Sequence, residues 1–384
     1  MNLKQKNFLL LFGLVIMVIT IYRLYSTKNS SESESQGNIV LNKNLVQAGS
    51  LNIPETSKTQ ISNSDTKQFG NKQNSVSEKN ADTLTSQQNQ PLDFHESIPV
   101  ILRDCGQLCN TSRHGLPGPY FDHIKAPIDC TALFKNDYID RGHGLKVAPR
   151  RIPKELLDAY TMNGRVRVSN LYFNQQYLGK KAETSFWSKE MIDLWVGRAK
   201  NGTLQGTYYA DETNALRDGL RHASSIKDGR VLVIGSENPW VEACALEAGA
   251  REVVTLEYGR ITSTHPKVKT LVPYEFRMMY LNGTLGTFDA IVTFSSVEHS
   301  GLGRYGDGLN PWGDIIAIAR AWCVTKPKGS LTIGVMYNYN TDMLRYNADR
   351  WYGKVRYPYL TTNWKQVYKG RGIQKVHVFE KDDI

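Results

Sequence analysis

The sequence lacks several features that would assign its class at once. Only five of its 384 residues are cysteines, too few for a disulfide-dense secreted scaffold. It has no glycine repeat of the collagen type and no block of consecutive basic residues. The net charge of +10 is mild for this length, so it permits an acidic substrate without requiring one. No nucleic-acid partner is expected.

Aromatic residues are nearly absent from residues 26–92, where Phe69 is the only one. Of these 67 residues, 36 are Ser, Thr, Asn or Gln, and they follow neither a helical nor a strand period. Such a segment cannot bury enough apolar surface to offset the entropy lost on ordering. It is predicted to be a disordered stem, and the folded mass is expected downstream of it.

A single uncharged apolar run precedes the stem. Phe8–Tyr22 contains no charged residue, and with the residues up to Tyr25 it nearly reaches the length that a bilayer needs. A cleaved signal peptide is the alternative, but no small-x-small cleavage site follows. The prediction is a cytoplasmic tail over 1–7, a transmembrane signal anchor over 8–25 and a stem over 26–92. A short tail before a long domain favours a type II protein of the Golgi or another secretory-pathway membrane, with its bulk in the lumen.

The cysteines and glycosylation sequons are compatible with a lumenal glycoprotein. Two of Cys105, Cys109 and Cys130 could pair in an oxidising lumen, leaving one over. Cys244 and Cys323 lie in apolar helical stretches and are predicted to be buried small hydrophobes. Because the spacing of the cysteines and histidines matches no standard zinc pattern, no metal site is predicted. Sequons begin at Asn29, Asn110, Asn201 and Asn282.

From residue 229 the sequence has the order strand, turn, helix, strand. Val231–Ile234 is a continuous apolar run, typical of a strand buried on both faces, and it ends at the turn Gly235–Pro239. Trp240–Ala248 predicts a helix, and Val253–Leu256 predicts a second strand that ends in Glu257. In a mononucleotide-binding unit of this kind the turn approaches the ligand, and the carboxylate can accept both ribose hydroxyls. The predicted cofactor-binding residues are Gly235, Ser236, Glu237 and Glu257.

The turn does not have the glycine spacing that cradles a pyrophosphate. A dinucleotide site needs G-x-G-x-x-G, and only Gly235 is present here. An S-adenosylmethionine site is more tolerant because its ligand carries no phosphate. The unit therefore favours a methyltransferase over a dehydrogenase, and a structural unit without any ligand also stays open.

The following elements resemble those of class I methyltransferases. Strands are predicted at 268–272, 288–294 and 330–336, with a helix over 312–325 and a break at Lys326–Gly329. The fourth strand begins Phe-Asp and leads to Glu-His, and the helix gives way to a Lys-Pro turn, as in that class. The resemblance implies an α/β, Rossmann-like, mostly parallel doubly wound sheet over residues 211–384 that binds S-adenosylmethionine. Residues 93–210 are expected to form an accessory region packed on it.

Two further segments are similar to a narrower family. Gly301–Asp314 reads GLGRYGDGLNPWGD, and Tyr346–Gly353 reads YNADRWYG. Both segments resemble the domain of unknown function 268 family, known chiefly from nematodes. That family is methyltransferase-like by resemblance, and no reaction is assigned to it.

The predicted catalytic residues follow the strand that ends at residue 294. His299 has the intrinsic pKa of a general base, and Glu298 or Asp307 could orient it or act instead. Instead of acting in catalysis, His299 could form a hydrogen bond that only shapes the loop. Asp307 could instead cap a helix. Arg304 and Tyr305 are predicted to bind the acceptor. The glycines from 301 to 313 predict a mobile loop that approaches a ligand and lies outside the core.

Two functional classes remain open on this reading. The first is a membrane-anchored S-adenosylmethionine-dependent O-methyltransferase that methylates a hydroxyl of a secreted glycan or glycoprotein. The second is a cofactor-less binding or scaffolding protein that retains the fold. A nucleotide-sugar or nicotinamide enzyme on a similar sheet is a third alternative.

Overall fold

The structure, a computed structural model, describes residues 129–137, 148–173, 185–206 and 210–382, together with residue 99. The predicted tail, anchor and stem lie outside the described residues, as do Cys105 and Cys109. Across the described ranges, every helix is too short or too polar to cross a bilayer.

The described chain alternates helices and strands. The helices are α1 (Cys130–Lys135), α2 (Lys154–Thr161), α3 (Lys189–Lys200), α4 (Ala210–Arg221), α5 (Trp240–Glu247), α6 (Pro273–Leu281), α7 (Gly313–Val324) and α8 (Tyr357–Leu360). The strands are β1 (Arg167–Leu171), β2 (Ser185–Trp187), β3 (Arg230–Ile234), β4 (Glu252–Leu256), β5 (Ile261–Ser263), β6 (Val268–Leu271), β7 (Phe288–Phe294), β8 (Thr325–Met336), β9 (Met343–Asn347), β10 (Asp349–Trp351), β11 (Trp364–Lys369) and β12 (Gln374–Lys381).

The main sheet has seven strands in the order β11-β12-β8-β7-β3-β4-β6. The five strands from β8 to β6 run parallel, whereas β12 is antiparallel to both β8 and β11. The predicted α/β fold is confirmed, and the apolar runs explain it. Parallel strands covered by helices on both faces need apolar residues at every position, and Val231–Ile234 is buried throughout.

Two hydrophobic cores lie on the two faces of the sheet. Successive side chains of a strand point to opposite faces, so Val231 and Val233 join one core while Leu232 and Ile234 join the other. The first core contains Trp240 of α5 and residues of α3 and α4, and the second contains Phe276 of α6 and residues of α1, α2 and α7.

The strand order reverses direction beside β3, and this positions the site. The chain proceeds from β3 to β4 and β6 on one side, and β7 and β8 lie on the other. In open α/β sheets, a crevice for ligands forms outside the carboxyl ends of the strands at such a switch point. Here it lies between the ends of β3 and β7.

Two element predictions need correction. The residue pattern of Phe186–Ala199 predicts a helix, but the helix α3 begins at Lys189, because Ser188 caps it by accepting a hydrogen bond from the backbone N–H of Met191. The residues before it form β2, which pairs with β5. The expected break at Lys326–Gly329 is part of β8, where Lys328 has a φ of 58°.

A disulfide bond joins α1 to α7, which corrects the prediction for one cysteine. Cys130 and Cys323 are bonded, with their Cα atoms 5.7 Å apart, so Cys323 is not an isolated apolar residue. Near this bond Phe134 stacks on Tyr280 at 3.7 Å between ring centroids. Cys244 is buried and free, as predicted. Because 193 residues separate the bonded pair, no local spacing pattern could indicate it.

Candidate functional site

A cleft opens at the switch point of the sheet, with about 630 Å³ of empty space when the open solvent at its mouth is included. Its upper rim is formed by Gly235 after β3, Glu257 after β4 and Ser296 after β7. Phe276 of α6 and Arg320 of α7 also line it. The end of β3 therefore meets the ends of β4 and β7 at one opening.

Gly235 is required where β3 ends. Its φ is +76°, and a Cβ atom built there would lie 1.7 Å from the Ser296 hydroxyl oxygen. Any side chain would therefore collide with the segment after β7, and the left-handed backbone would be strained as well. The single glycine of the turn lets the two strand ends approach each other.

Glu257 presents an oriented carboxylate to the cleft. Its Oε2 accepts a hydrogen bond from the Ser236 backbone N–H at 2.8 Å, and its Oε1 accepts one from the Tyr258 N–H at 2.7 Å. Burial raises the pKa of this carboxyl, and the backbone hydrogen bonds partly oppose that rise. An ionised carboxylate has about four acceptor positions, so lone pairs remain for a ligand.

The structure separates the two other predicted turn residues. Ser236 is buried, and its hydroxyl oxygen lies within hydrogen-bonding distance of both the Asn238 carbonyl and the Glu242 carboxyl. Glu237 is exposed to solvent. The prediction from sequence missed Glu242, a fully buried carboxyl in the first turn of α5. The available signal was an acid with apolar residues on both sides in the first turn of the helix.

Glu298 and His299 lie in a single 3-10 turn, Val297–His299, directly after β7. Glu298 is 2% exposed, and its Oε2 has no hydrogen-bond partner among the described residues. Burial, with a contribution from nearby Asp349, raises its pKa to about 8. Ser295 hydrogen-bonds to the carboxyl and in turn accepts from the Gln374 amide at 3.0 Å.

His299 is held as a neutral imidazole. Its Nδ1 lies 2.7 Å from the Ala348 carbonyl oxygen, which fixes the proton on Nδ1 and leaves Nε2 as the lone-pair nitrogen. Burial, followed by the charge of Arg304, lowers its pKa to about 4. The imidazole is therefore a much weaker base at neutral pH than its intrinsic pKa suggests.

The glycine-rich loop is buried, so the expectation that it lies outside the core is wrong. A Cβ atom at Gly301 would lie 2.1 Å from the Asn310 carbonyl oxygen, and one at Gly313 would lie 2.8 Å from the Ser300 backbone. The glycines let backbone segments touch. Asp307 organises this packing: its Oδ2 accepts from the N–H groups of Gly301, Leu302 and Gly303 at 2.7, 3.0 and 3.2 Å, and its Oδ1 accepts from Tyr305 N–H.

Asp314 forms a buried ion-pair cluster that the sequence did not reveal. Its position at the start of the predicted helix indicates only a helix cap. Its carboxylate accepts two hydrogen bonds from Arg356, at 2.6 and 2.9 Å, and one from the Tyr352 hydroxyl at 2.9 Å. Arg350, with its Nε 3.7 Å from the same carboxylate, donates to the Ser300 carbonyl at 2.6 Å. The cluster connects the buried loop to β10 and α8.

Arg304 and Tyr305 project from the same loop and are half-buried. The Arg304 guanidinium lies over the rings of Phe173 and Tyr305, at 5.2 and 4.9 Å from their centroids. It also donates to the Ala348 carbonyl at 3.0 Å. The Tyr305 ring meets His299 edge to face at 5.5 Å. The two predicted acceptor-binding residues are therefore adjacent to His299.

Comparison with known families identifies the segment that contains the site. Residues 228–381 match the family described as "Caenorhabditis protein of unknown function, DUF268". The predicted resemblance to this family is confirmed. The DUF268 match runs from β3 to β12, so it includes the cleft and the buried loop, although it covers less than half of the chain. No curated protein matches the sequence.

Solved structures with a similar fold include several methyltransferases. The N-methyltransferase NodS from Bradyrhizobium japonicum WM9 is 15% identical, with 45% of this chain and 97% of that chain covered and a TM-score of 0.31. CalO1, a methyltransferase in calicheamicin biosynthesis in its SAH-bound form, is 9% identical, with 44% and 54% covered and a TM-score of 0.32. TrmN from Thermus thermophilus is 14% identical, with 48% and 52% covered and a TM-score of 0.27. The match thus spans about half the length of the last two proteins.

Proposed function

We propose that residues 211–384 bind S-adenosylmethionine in the cleft and direct its methyl group to a hydroxyl of a secreted glycan or glycoprotein. One observation carries this proposal. The Glu257 carboxylate, held by two backbone N–H groups, lines a cleft at the point where the strand order reverses. A fixed acceptor pair at that place suits the two hydroxyls of a ribose.

The residues that line the cleft fit this cofactor. Leu256, Pro273 and Phe276 provide apolar walls for a flat base beside the ribose-binding carboxylate. The turn offers a single glycine and no phosphate cradle, which suits a ligand without phosphates better than a dinucleotide.

The protein's own groups would orient the reactants and move one proton. Bound S-adenosylmethionine supplies a methyl group on a positively charged sulfur. Glu257 would fix the ribose, and a base must take the proton of the acceptor hydroxyl as its oxygen attacks. Neither Glu298 nor His299 is among the residues that line the cleft. Of the two, Glu298 suits this role better, because a base is most effective when its pKa lies near the working pH. Asp307 is committed to the backbone of the loop and does not serve as the base.

The glycan acceptor and the lumenal location rest on several separate features. The predicted anchor and stem are those of a type II enzyme of the secretory pathway. The Cys130–Cys323 bond supports an oxidising compartment. Arg304 with Phe173 and Tyr305 offers aromatic and cationic surface near His299, suited to a sugar or an acidic group.

Glycosylation tests the proposed location. Asn201 and Asn282, each followed by Gly-Thr, are exposed at the ends of α3 and α6. We expect at least one sequon of the full-length protein to carry glycan, detected as a mobility shift after endoglycosidase treatment. An unchanged mobility, together with digestion of the domain by protease added to intact microsomes, would contradict the lumenal orientation.

Calorimetric titration of the full-length protein with S-adenosylmethionine tests the proposed activity. Glu257→Ala removes charge-assisted hydrogen bonds to the ribose, and we expect it to cost about 2–3 kcal/mol, a tens- to hundred-fold loss of affinity. Glu190→Ala, which removes an exposed carboxylate on α3, is the matched control and should bind as wild type does. Equal affinities of wild type and a folded Glu257→Ala protein would refute the assignment of Glu257.

A binding protein without a cofactor is the second candidate. The observation that favours it is the turn, where one glycine stands and the buried Ser236 and Glu242 side chains occupy the interior. If neither heat nor a thermal shift accompanies S-adenosylmethionine, this candidate replaces the first. The same titration with NAD⁺ and a nucleotide sugar tests the remaining alternative.

A further inference from the structure

Glu242 is completely buried next to the turn that forms the rim of the cleft. Its Oε1 accepts a hydrogen bond from the Thr255 hydroxyl at 2.7 Å, and its Oε2 lies 2.9 Å from the Ser236 hydroxyl oxygen. Among the described residues, no Lys, Arg or His forms an ion pair with it. Burying an ionised carboxylate without a cationic partner in the protein interior costs free energy.

A count of protons shows which form of Glu242 the hydrogen bonds require. The Ser236 hydroxyl has one proton, yet its oxygen lies 2.8 Å from the Asn238 carbonyl and 2.9 Å from Glu242 Oε2. A carbonyl can only accept, so if both contacts are hydrogen bonds, the Ser236 proton lies in the bond with Asn238. The contact with Glu242 is then a hydrogen bond only if Glu242 carries a proton and donates it to Ser236.

We propose that Glu242 is a positioning residue that, as a neutral carboxylic acid, clamps the cofactor turn through Ser236, and that its deprotonation loosens this turn. The Asn238 carbonyl also accepts from the Trp240 N–H at 2.8 Å, so the Ser236–Asn238 bond closes the turn onto the start of α5. When Glu242 ionises, Ser236 must give up its bond to Asn238 or leave a buried carboxylate oxygen unpaired.

The clamp is connected to the ligand-binding carboxylate by one residue. Ser236, whose side chain contacts Glu242, donates its backbone N–H to Glu257 Oε2 at 2.8 Å. A loosened turn therefore frees Glu257 to move from its orientation. This link to the cofactor rests on the proposed function, whereas the protonation of Glu242 does not.

The surroundings agree with a neutral Glu242. Burial is the main cause that raises its pKa, to about 7, and the charge of Glu257 adds to the rise. The other titratable neighbour on α5 is the buried Cys244 thiol, whose pKa burial raises far above its usual range. From α4, Arg217 faces α5, but it is paired with Glu247 at 3.0 Å. Against β4, the contact of Glu242 is the uncharged Thr255 hydroxyl.

The first experiment uses the full-length protein without ligand. Glu242→Gln keeps both contacts, since the amide nitrogen donates to Ser236 and the amide oxygen accepts from Thr255, but it cannot ionise. A raised pKa means that wild-type stability gained from this group is present below about pH 4.5 and is lost as the pH rises through about 7. We expect the urea midpoint of wild type, relative to that of Glu242→Gln, to fall over this range. Glu190→Gln, on the exposed face of α3, should parallel wild type.

The second experiment measures the affinity for S-adenosylmethionine at about pH 6 and about pH 8.5. Wild type and Glu242→Gln should bind equally at the lower pH. At the higher pH, wild type should bind about tenfold more weakly than Glu242→Gln, the loss expected for one buried hydrogen bond. Because Glu257 titrates in both proteins, the difference between them reports the ionisation of Glu242, including its effect on the charge of Glu257. Ser236→Ala, which cannot be clamped, should be weak at both pH values.

The outcomes separate this inference from the proposed function. Parallel stability curves for wild type and Glu242→Gln across the whole range would overturn the neutral Glu242. Divergent stability curves with parallel affinity profiles would overturn its positioning role. Suppose that neither wild type nor any variant binds S-adenosylmethionine, while the stability curves diverge as expected. The proposed function then fails, and the protonation of Glu242 stands.

Discussion

At the scale of single residues, the site depends on carboxyl groups whose protonation is set by burial. Sequence position alone located Glu257, Glu298 and His299 at the ends of strands. It could not rank Glu298 above His299 as a base, because the ranking depends on their surroundings. Burial raises the pKa of Glu298 to about 8 and lowers that of His299 to about 4.

A prediction for turnover follows at this scale. A base works in its ionised form, so the rate with a hydroxyl acceptor should rise with pH up to about 8. Glu298→Gln should lower turnover by roughly 10²–10⁴-fold and leave the affinity for S-adenosylmethionine intact. The pH–rate profiles of Glu298→Gln and His299→Gln, with calorimetry of S-adenosylmethionine binding to each, decide which residue is the base. If His299→Gln abolishes turnover and Glu298→Gln does not, the histidine is the base.

At the scale of elements, the buried loop between the 3-10 turn and α7 is built around Asp307. Four backbone N–H groups point to this carboxylate, which is 2% exposed. Glycine content suggested a mobile loop from the sequence, since glycine serves both flexible segments and close backbone contacts. Only the positions of Asn310 and Ser300 show that the second use applies here.

The prediction at this scale concerns stability. Asp307→Ala leaves several buried donors without partners, and we expect it to lower the free energy of unfolding by about 3 kcal/mol or more. Asp158→Ala, on the exposed face of α2, should change it by less than about 0.5 kcal/mol. Urea denaturation of both variants provides the measurement. Equal midpoints would show that the loop is organised by other contacts.

At the scale of the whole molecule, the Cys130–Cys323 bond ties the segment before the sheet to its helix α7. It closes a loop of 193 residues, which restricts the unfolded chain. Arg320 adds to the connection by donating to the Leu133 carbonyl at 3.1 Å. The segment around α1 thus forms part of the structure beneath the cleft.

Replacing both cysteines by alanine should lower the free energy of unfolding by about 2–5 kcal/mol, measured by urea denaturation under oxidising conditions. Reductant should lower the urea midpoint of wild type and have less effect on that of this variant. Because the variant keeps the other three cysteines, its response to reductant shows any effect that does not come from the Cys130–Cys323 bond. An equal response of both proteins to reductant would contradict a stabilising role for this bond.

The features that depend on local residue pattern could be predicted from the amino-acid sequence. The apolar runs such as Val231–Ile234 specified strands buried on both faces, and the order of strand, turn, helix and acid placed Gly235 and Glu257 at one edge of the sheet. Tertiary structure alone decided the Cys130–Cys323 bond, the pairing of Asp314 with Arg356 and the clamp by Glu242. The bond and the ion pair join residues far apart in the chain, which no period or spacing encodes. Burial then sets the charge of each carboxyl, and burial exists only once the chain is folded.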